Sequence, residues 1–299
     1  MSFLKGNTKW VLFLASDQQA EERHILDLAY GVCCLEAAGV SPANIHVYVD
    51  GPDRSRVAQW FAHGSATTYQ IKTSADFFAD QMQNASDDLV MFVTGHGCID
   101  GLPAVPAFVR PTQLLNSLKQ SPQLKRAVVY FGQCDAGIFN YMPIGRKPGT
   151  PATQHDPDVI FVGATNLHFS ISSSTQETFV SGQLPWQANL FLLYVFKWIS
   201  RPVDVDGDGQ LTIMDSYKFA GAQSNAANRR VKNRQFYQSM GLHDRFEAAQ
   251  LALQADPTDA GLQFAMDTAQ QEYVDALNLQ FNHQESWILN SRPAQDWHI

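Results

Sequence analysis

The chain has 299 residues, 45% of them hydrophobic and 17% charged, with a formal net charge of -8. This is globular composition, with apolar material for one large domain or two ordinary ones. The acidic balance excludes a broad electrostatic footprint for nucleic acid, and no stretch approaches the roughly 18 consecutive apolar residues of a spanning helix.

The one basic run, "NRRVKNR" over residues 228–234, reads as a solvated face. A soluble, cytoplasmic protein without nucleic-acid or membrane partners is expected. Four cysteines, Cys33, Cys34, Cys98 and Cys134, are too sparse for a disulfide scaffold and are expected to be reduced.

In chain order, "WVLFLAS" predicts a first strand rather than a signal peptide, because the apolar stretch is short and no small-residue cleavage site follows it. Ile25, Leu28, Ala29, Val32 and Leu35 then fall on one helical face that stops at Gly39. "NIHVYVDG" is the second strand, followed by helical patterns at "RSRVAQWFAHG" and "SADFFADQMQN". "DLVMFVTGHG" is the third strand, "RPTQLLNSLKQS" a helix opened by Pro111, "RAVVYFGQC" the fourth strand and "DVIFVGAT" the fifth. A long helix is expected over "WQANLFLLYVFKWIS".

Strands alternating with helices, each strand an unbroken apolar run, predict an α/β fold: a doubly wound, mostly parallel sheet flanked by helices. The domain is expected to cover residues 1–220. Residues 221–299 are polar, rich in alanine and glutamine and without strand signal, and predict a helical appendage packed on it. The irregular segment over residues 142–158 is proline-rich and too long for an ordinary connection, which makes it functional or mobile.

Functional groups of such sheets lie beyond the carboxyl ends of the strands. That rule selects "TGHGCIDG" after the third strand and "GQCDAG" after the fourth. A thiolate nucleophile needs a histidine to take and return its proton, and only His96, of nine histidines, stands at a strand end between two glycines. Alone, each has a plain structural reading: Gly-His-Gly as a tight turn, Cys134 as a small packing residue. Together, at the ends of strands expected to be neighbours, they predict a Cys134–His96 dyad.

The order of hydrophobic strand, His-Gly, second hydrophobic strand and Cys resembles the caspase-like cysteine peptidases, a group that includes legumains, caspases and metacaspases. "FGQCDAG" looks most like the legumain form, and "ERHILDLAYGVCCLEAAG" parallels that branch's Arg-His entry to the first helix. The resemblance covers roughly residues 8–220. It implies a caspase-like fold, proteins or peptides as substrates, Cys134 as nucleophile, His96 as general base, and the N–H groups of Gly97 and Cys134 as oxyanion donors. Two departures stand out: Gln133, not alanine, precedes Cys134, and Gly132 replaces the metacaspase acid.

For the substrate pocket, the resemblance implies Arg23, which favours an amide or acidic side chain, and Asp27, which favours a basic one. The plain alternative is an exposed Arg23–Asp27 pair at i,i+4. Gln133, Thr165 and Ser172 complete the candidate pocket, the last two in "TNLHFSISSSTQE", its expected far wall.

"DVDGDGQLTIMD" fits a calcium loop, with Asp204, Asp206, Asp208 and Asp215 as carboxylate ligands and Gln210 as a carbonyl ligand. Asp215 in place of glutamate makes bidentate ligation harder. A metal-free acidic turn is the alternative.

The protein is expected to be made as a zymogen, switched on when an upstream protease cuts at Arg146 or Lys147. The rival readings are a catalytically silent caspase-like module for calcium binding or scaffolding, and an unrelated nucleotide domain. The latter is disfavoured because "LASDQQAEE" has no glycine to cradle a phosphate.

Overall fold

The computed structural model describes every residue except 1–3, 5, 147, 148, 150, 152 and 153. In chain order the elements are β1 (Thr8–Leu14), α1 (Glu22–Ala37), β2 (Ile45–Val49), α2 (Arg54–Phe61), β3 (Ile71–Lys72), α3 (Ser74–Gln81), β4 (Asp88–Thr94), α4 (Pro111–Lys119), β5 (Arg126–Phe131), β6 (Asp158–Gly163), β7 (Ser172–Phe179), β8 (Gly182–Asn189), α5 (Leu190–Ser200), α6 (Ile213–Ala255), α7 (Ala260–Phe281), β9 (Trp287–Leu289) and α8 (Ser291–Gln295). They form two compact units: residues 1–224 with 284–299, and residues 225–283.

The first unit is built on a seven-stranded sheet ordered β3-β2-β1-β4-β5-β6-β9. All pairings are parallel except β6 with β9. The doubly wound, mostly parallel sheet expected from the alternation of strands and helices is therefore present. β1 and β4 are buried at every position, as strands covered on both faces must be. Alternate residues feed opposite layers. Val11, Phe13, Met91 and Val129 pack with Phe77 of α3 and Leu114, Leu115 and Leu118 of α4. On the other face, Phe92 meets Phe196 of α5, and Tyr130 reaches Ser216 of α6 through a 2.6 Å hydroxyl hydrogen bond.

Two strand regions differ from the sequence expectation. The segment expected to open the long helix is instead the end of β8, which pairs with β7 as an antiparallel hairpin, and α5 begins only after Asn189, whose side chain accepts from Leu192 N. The alternating polar run of β7 and Pro185 in β8 conceal this hairpin, since only one of its faces is covered.

Residues 221–299 are also not purely helical. β9 returns to the sheet edge and places Trp287 over Gly163, where an added Cβ would stand 2.2 Å from the indole. Trp287 Nε1 donates to Thr165 O at 2.8 Å. Trp287→Ala should therefore cost about 3–5 kcal/mol, read from the urea midpoint at unchanged slope.

The segment over residues 142–158 is pinned rather than loose where it is described. Ile144 is buried, Lys119 Nζ donates to Asp156 Oδ1 and Pro157 O, and His155 Nε2 lies 2.9 Å from Ser121 O. In the second unit, α6 continues into its C-terminal part and is followed by α7. There Phe246 stacks on Tyr273, Arg245 pairs with Glu272, and Ala269 and Ala276 are buried. Arg229, Arg230 and Arg234 of the basic run are exposed on α6. Among the described residues, no helix is long and apolar enough to cross a membrane. All four cysteines are unbridged.

Candidate active site

β4 and β5 run side by side in parallel, with Val93 opposite Phe131. Gly132 N donates to Val93 O at 2.8 Å and carries the pairing one residue further, so the turns after the two strands emerge together. Asn189 Nδ2 donates to Gly132 O at 2.5 Å, tying the second turn to the head of α5.

Gly97 makes the contact between the turns possible: a Cβ there would lie 2.1 Å from Cys134 O and 2.6 Å from Gln133 Cγ. Beyond Cys134, Asp135 takes a left-handed conformation (φ 51°) and donates its N–H to His168 O. Gly137 then packs so tightly on Asn166 that an added Cβ would meet its Oδ1 at 2.2 Å.

Cys134 is partly exposed, and its sulfur accepts the Ser170 N–H at 3.3 Å. Burial pushes its thiol above the usual range; the Ser170 N–H and the Arg23 charge pull it back, while Asp135 adds to the rise. His96 is exposed, and its Nε2 lies 2.6 Å from Glu21 Oε1. No hydrogen bond joins His96 to Cys134 among the described residues. The Cys134 N–H faces the residue's own sulfur, and Gly97 N belongs to the turn packed against it.

Glu21 is the site residue that sequence reasoning missed. Its Oε2 accepts from Arg23 Nε at 2.6 Å, and the Arg23 hydrogen bond, with the one from His96, holds its carboxyl down at about 2. A carboxylate that orients a base histidine is the third member of an activated-nucleophile arrangement. The acid lies in the β1–α1 turn, and because β1 neighbours β4, that turn opens at the same sheet edge as His96. On the expectation of a Cys134–His96 dyad, Glu21→Gln should lower kcat about 10- to 100-fold and move KM less than about twofold, as expected of a positioning residue whose exposure weakens it.

Of the candidate pocket residues, Arg23 and Ser172 come together, with Arg23 Nη1 donating to Ser172 Oγ at 3.3 Å. Asp27 does not join them. It is 4% exposed and accepts from Trp186 Nε1 at 2.9 Å, Asn189 N at 3.1 Å and Thr94 Oγ1 at 3.0 Å. The β7–β8 hairpin covers that face of α1, and a buried carboxylate persists there only with such donors. Asp27 is thus neither an open pocket acid nor a solvated partner of Arg23.

Two further expectations are corrected. Thr165 is fully buried beneath Trp287, because the turn after β6 is covered by the returning C-terminal strand. Gln133 is 2% exposed and wedged against Gly97, and both polar atoms of its side chain lack a protein partner.

In the acidic loop, one carboxylate oxygen each from Asp204, Asp206 and Asp208 lie within 4.8 Å of one another. Gly207 and Gly209, both at positive φ, donate their N–H groups to Asp204. Gln210 N donates to Asp208 Oδ1, and Lys218 pairs with Asp206 at 2.6 Å. The expectation for Asp215 is corrected: it is 1% exposed and both its oxygens are engaged, one by Val205 N and the other by the N–H and hydroxyl of Thr212. It caps the first turn of α6, where the shorter aspartate arm suits a reach back to Thr212.

Arg146 is exposed, and its Nε donates to Asp156 O at 3.0 Å. Lys147, the other expected cleavage position, lies outside the described residues.

No protein-family model matches the sequence. No curated protein matches it either. Among solved structures, the fold is similar to that of caspase-1 from Spodoptera frugiperda, with a TM-score of 0.42 at 13% identity over 73% of this chain and 78% of that one.

Proposed function

We propose that the protein is a cysteine endopeptidase of the caspase-like type, with Cys134 as nucleophile and His96 as general base. The observation that carries the reading is the contact of two glycine turns at the ends of adjacent parallel strands, which brings the Cys134 and His96 segments together. His96 takes the thiol proton, and the sulfur attacks the carbonyl carbon. The developing oxyanion accepts from Gly97 N and Cys134 N. His96 then returns the proton to the departing amine, and water cleaves the thioester. Glu21 keeps the imidazole oriented throughout. This agrees with the resemblance carried by "FGQCDAG".

Arg23 and Ser172 supply the polar end of the pocket, and with Asp27 enclosed the pocket favours an amide or acidic side chain before the scissile bond. Digestion of a mixed peptide library, read by mass spectrometry, tests this. New termini should follow Asn or Asp. Termini after Arg or Lys would reject the Arg23 pocket, and none dependent on Cys134 would reject the activity. Exposed Arg146 is the proposed processing site, to be checked by sequencing the N-terminus of the fragment in the active species.

A second reading, the catalytically silent module, is favoured by one observation: the His96 Nε2 is engaged by Glu21 while the Cys134 sulfur is engaged by Ser170. The same library decides between them.

The acidic loop is proposed to hold calcium through Asp204, Asp206, Asp208 and the Gln210 carbonyl, with Asp215 serving only as the helix cap. Calcium at 100 times its Kd should raise the melting temperature by about 5 °C. Asp206→Ala should abolish that rise, and a wild-type protein indifferent to calcium and chelator would remove the site.

A further inference from the structure

On the His96 side of the site, three side chains converge on a cavity of about 300 Å³, walled by the end of β1, the turn after it and Gly95–His96. Glu21, His24 and His96 all line it, and one ligand atom from each lies within 4.8 Å of the others. The two imidazole rings stand 5.2 Å apart between centroids, at 79°.

His24 is the informative member. It is 6% exposed, and its Nε2 is buried without a protein hydrogen-bond partner. Its Nδ1 faces Thr94 Oγ1 at 3.5 Å and Asp27 Oδ2 at 3.9 Å. The single hydroxyl proton of Thr94 goes to Asp27, so toward His24 that oxygen can only accept. Nδ1 thus has partners on its side of the ring, whereas Nε2 is enclosed without a protein partner. An enclosed ring nitrogen without a protein partner points to a ligand at that place, and a histidine backed by a hydroxyl and a carboxylate is how metal-binding imidazoles are held.

We propose that Glu21, His24 and His96 bind a Zn²⁺ ion, with its fourth position open to the cavity. Two imidazole nitrogens and one carboxylate oxygen, with room for water, make a donor set suited to this ion. Ligand atoms around tetrahedral zinc stand about 3.3 Å apart for bonds of about 2.0 Å. The 2.6 Å gap between His96 Nε2 and Glu21 Oε1 thus has to open by less than about 1 Å, and both side chains are exposed enough to move. Arg23 holds the other Glu21 oxygen and leaves Oε1 for the metal. On the reading of His96 as general base, bound zinc takes up the nitrogen that Glu21 orients and arrests hydrolysis.

The test separates the metal site from the peptidase reading by using the Cys134→Ala protein without substrate. Equilibrium dialysis against Zn²⁺ should give one tight ion per chain. Glu21→Gln, His24→Gln and His96→Gln should each weaken it at least about 100-fold. Co²⁺ in the wild-type protein should give intense visible bands of tetrahedral nitrogen and oxygen coordination, with no thiolate charge-transfer band. Unchanged affinity in the Glu21 and His96 variants, which change exposed side chains and leave the core intact, would overturn the proposal. So would loss of binding on removing Cys134, which would assign the ion to the thiol instead.

Discussion

Cys134→Ala should abolish labelling by a thiol-reactive peptide electrophile and lower turnover of a cleaved peptide at least about 10⁴-fold, because the thioester has no other atom on which to form. Cys98→Ala is the matched control. Cys98 sits two residues past His96, but its sulfur points at Gly101 O at 3.7 Å, and its backbone pairs with Gly101 in a small bridge. Its removal should leave labelling and turnover within about twofold. Cys34 is no competitor, since burial pushes its thiol up to about 12.

The pH dependence adds a second readout. Burial is the largest influence on the Cys134 thiol and raises it, so alkylation by a small neutral electrophile should keep accelerating above the pH of about 8.5 at which a free thiol is half ionised. The Arg23 charge opposes that rise, so Arg23→Gln should move the alkylation profile to still higher pH. Labelling that survives Cys134→Ala, or a peptide electrophile that ignores the protein under every calcium and processing condition, would leave only the silent module.

What the sequence carried of this site follows from how each contact is encoded. β4 and β5 read clearly because strands buried on both faces are unbroken apolar runs, and the rule that sites gather at carboxyl ends then selected His96 and Cys134. Glu21 was invisible because its meeting with His96 depends on β1 lying beside β4, although β2 and β3 separate them in the chain. Periodicity within a segment says nothing about that adjacency. Asp27 shows the same limit at shorter range. Its spacing from Arg23 fixed a place on α1, but the hairpin that covers that place is a polar alternating strand and a proline-containing one, neither of which resembles a core strand. β9 was missed because three residues are too few to show a period, and its burial comes from Gly163 leaving space for Trp287.

Gly97→Ala should lower kcat at least about 100-fold while shifting the melting temperature by only a few degrees. The backbone at Gly97, unlike that at Gly95, is not in the left-handed region, so alanine adds no conformational strain. Its only difficulty is space: the methyl group would stand 2.1 Å from Cys134 O and 3.2 Å from the carbonyl carbon. Relief requires the two turns to part by about 1 Å, since ordinary carbon–oxygen contacts begin well above 3 Å. That separation moves one oxyanion donor and the base histidine away from the sulfur together, and a misplacement of this size costs about two orders of magnitude in rate. The turns lie beyond the ends of the strands, so the β4–β5 pairing and the core beneath it persist. Gly132→Ala makes the opposite comparison, because its methyl group would strike Leu192 of α5 at 2.6 Å and should reduce stability first. Alkylation of Cys134 by iodoacetamide should proceed in the Gly97→Ala protein at close to the wild-type rate, showing that the thiol is intact and only its alignment is lost. Full turnover in that variant would mean that the contact between the turns is mere packing, and the catalytic reading of the strand ends would fall with it.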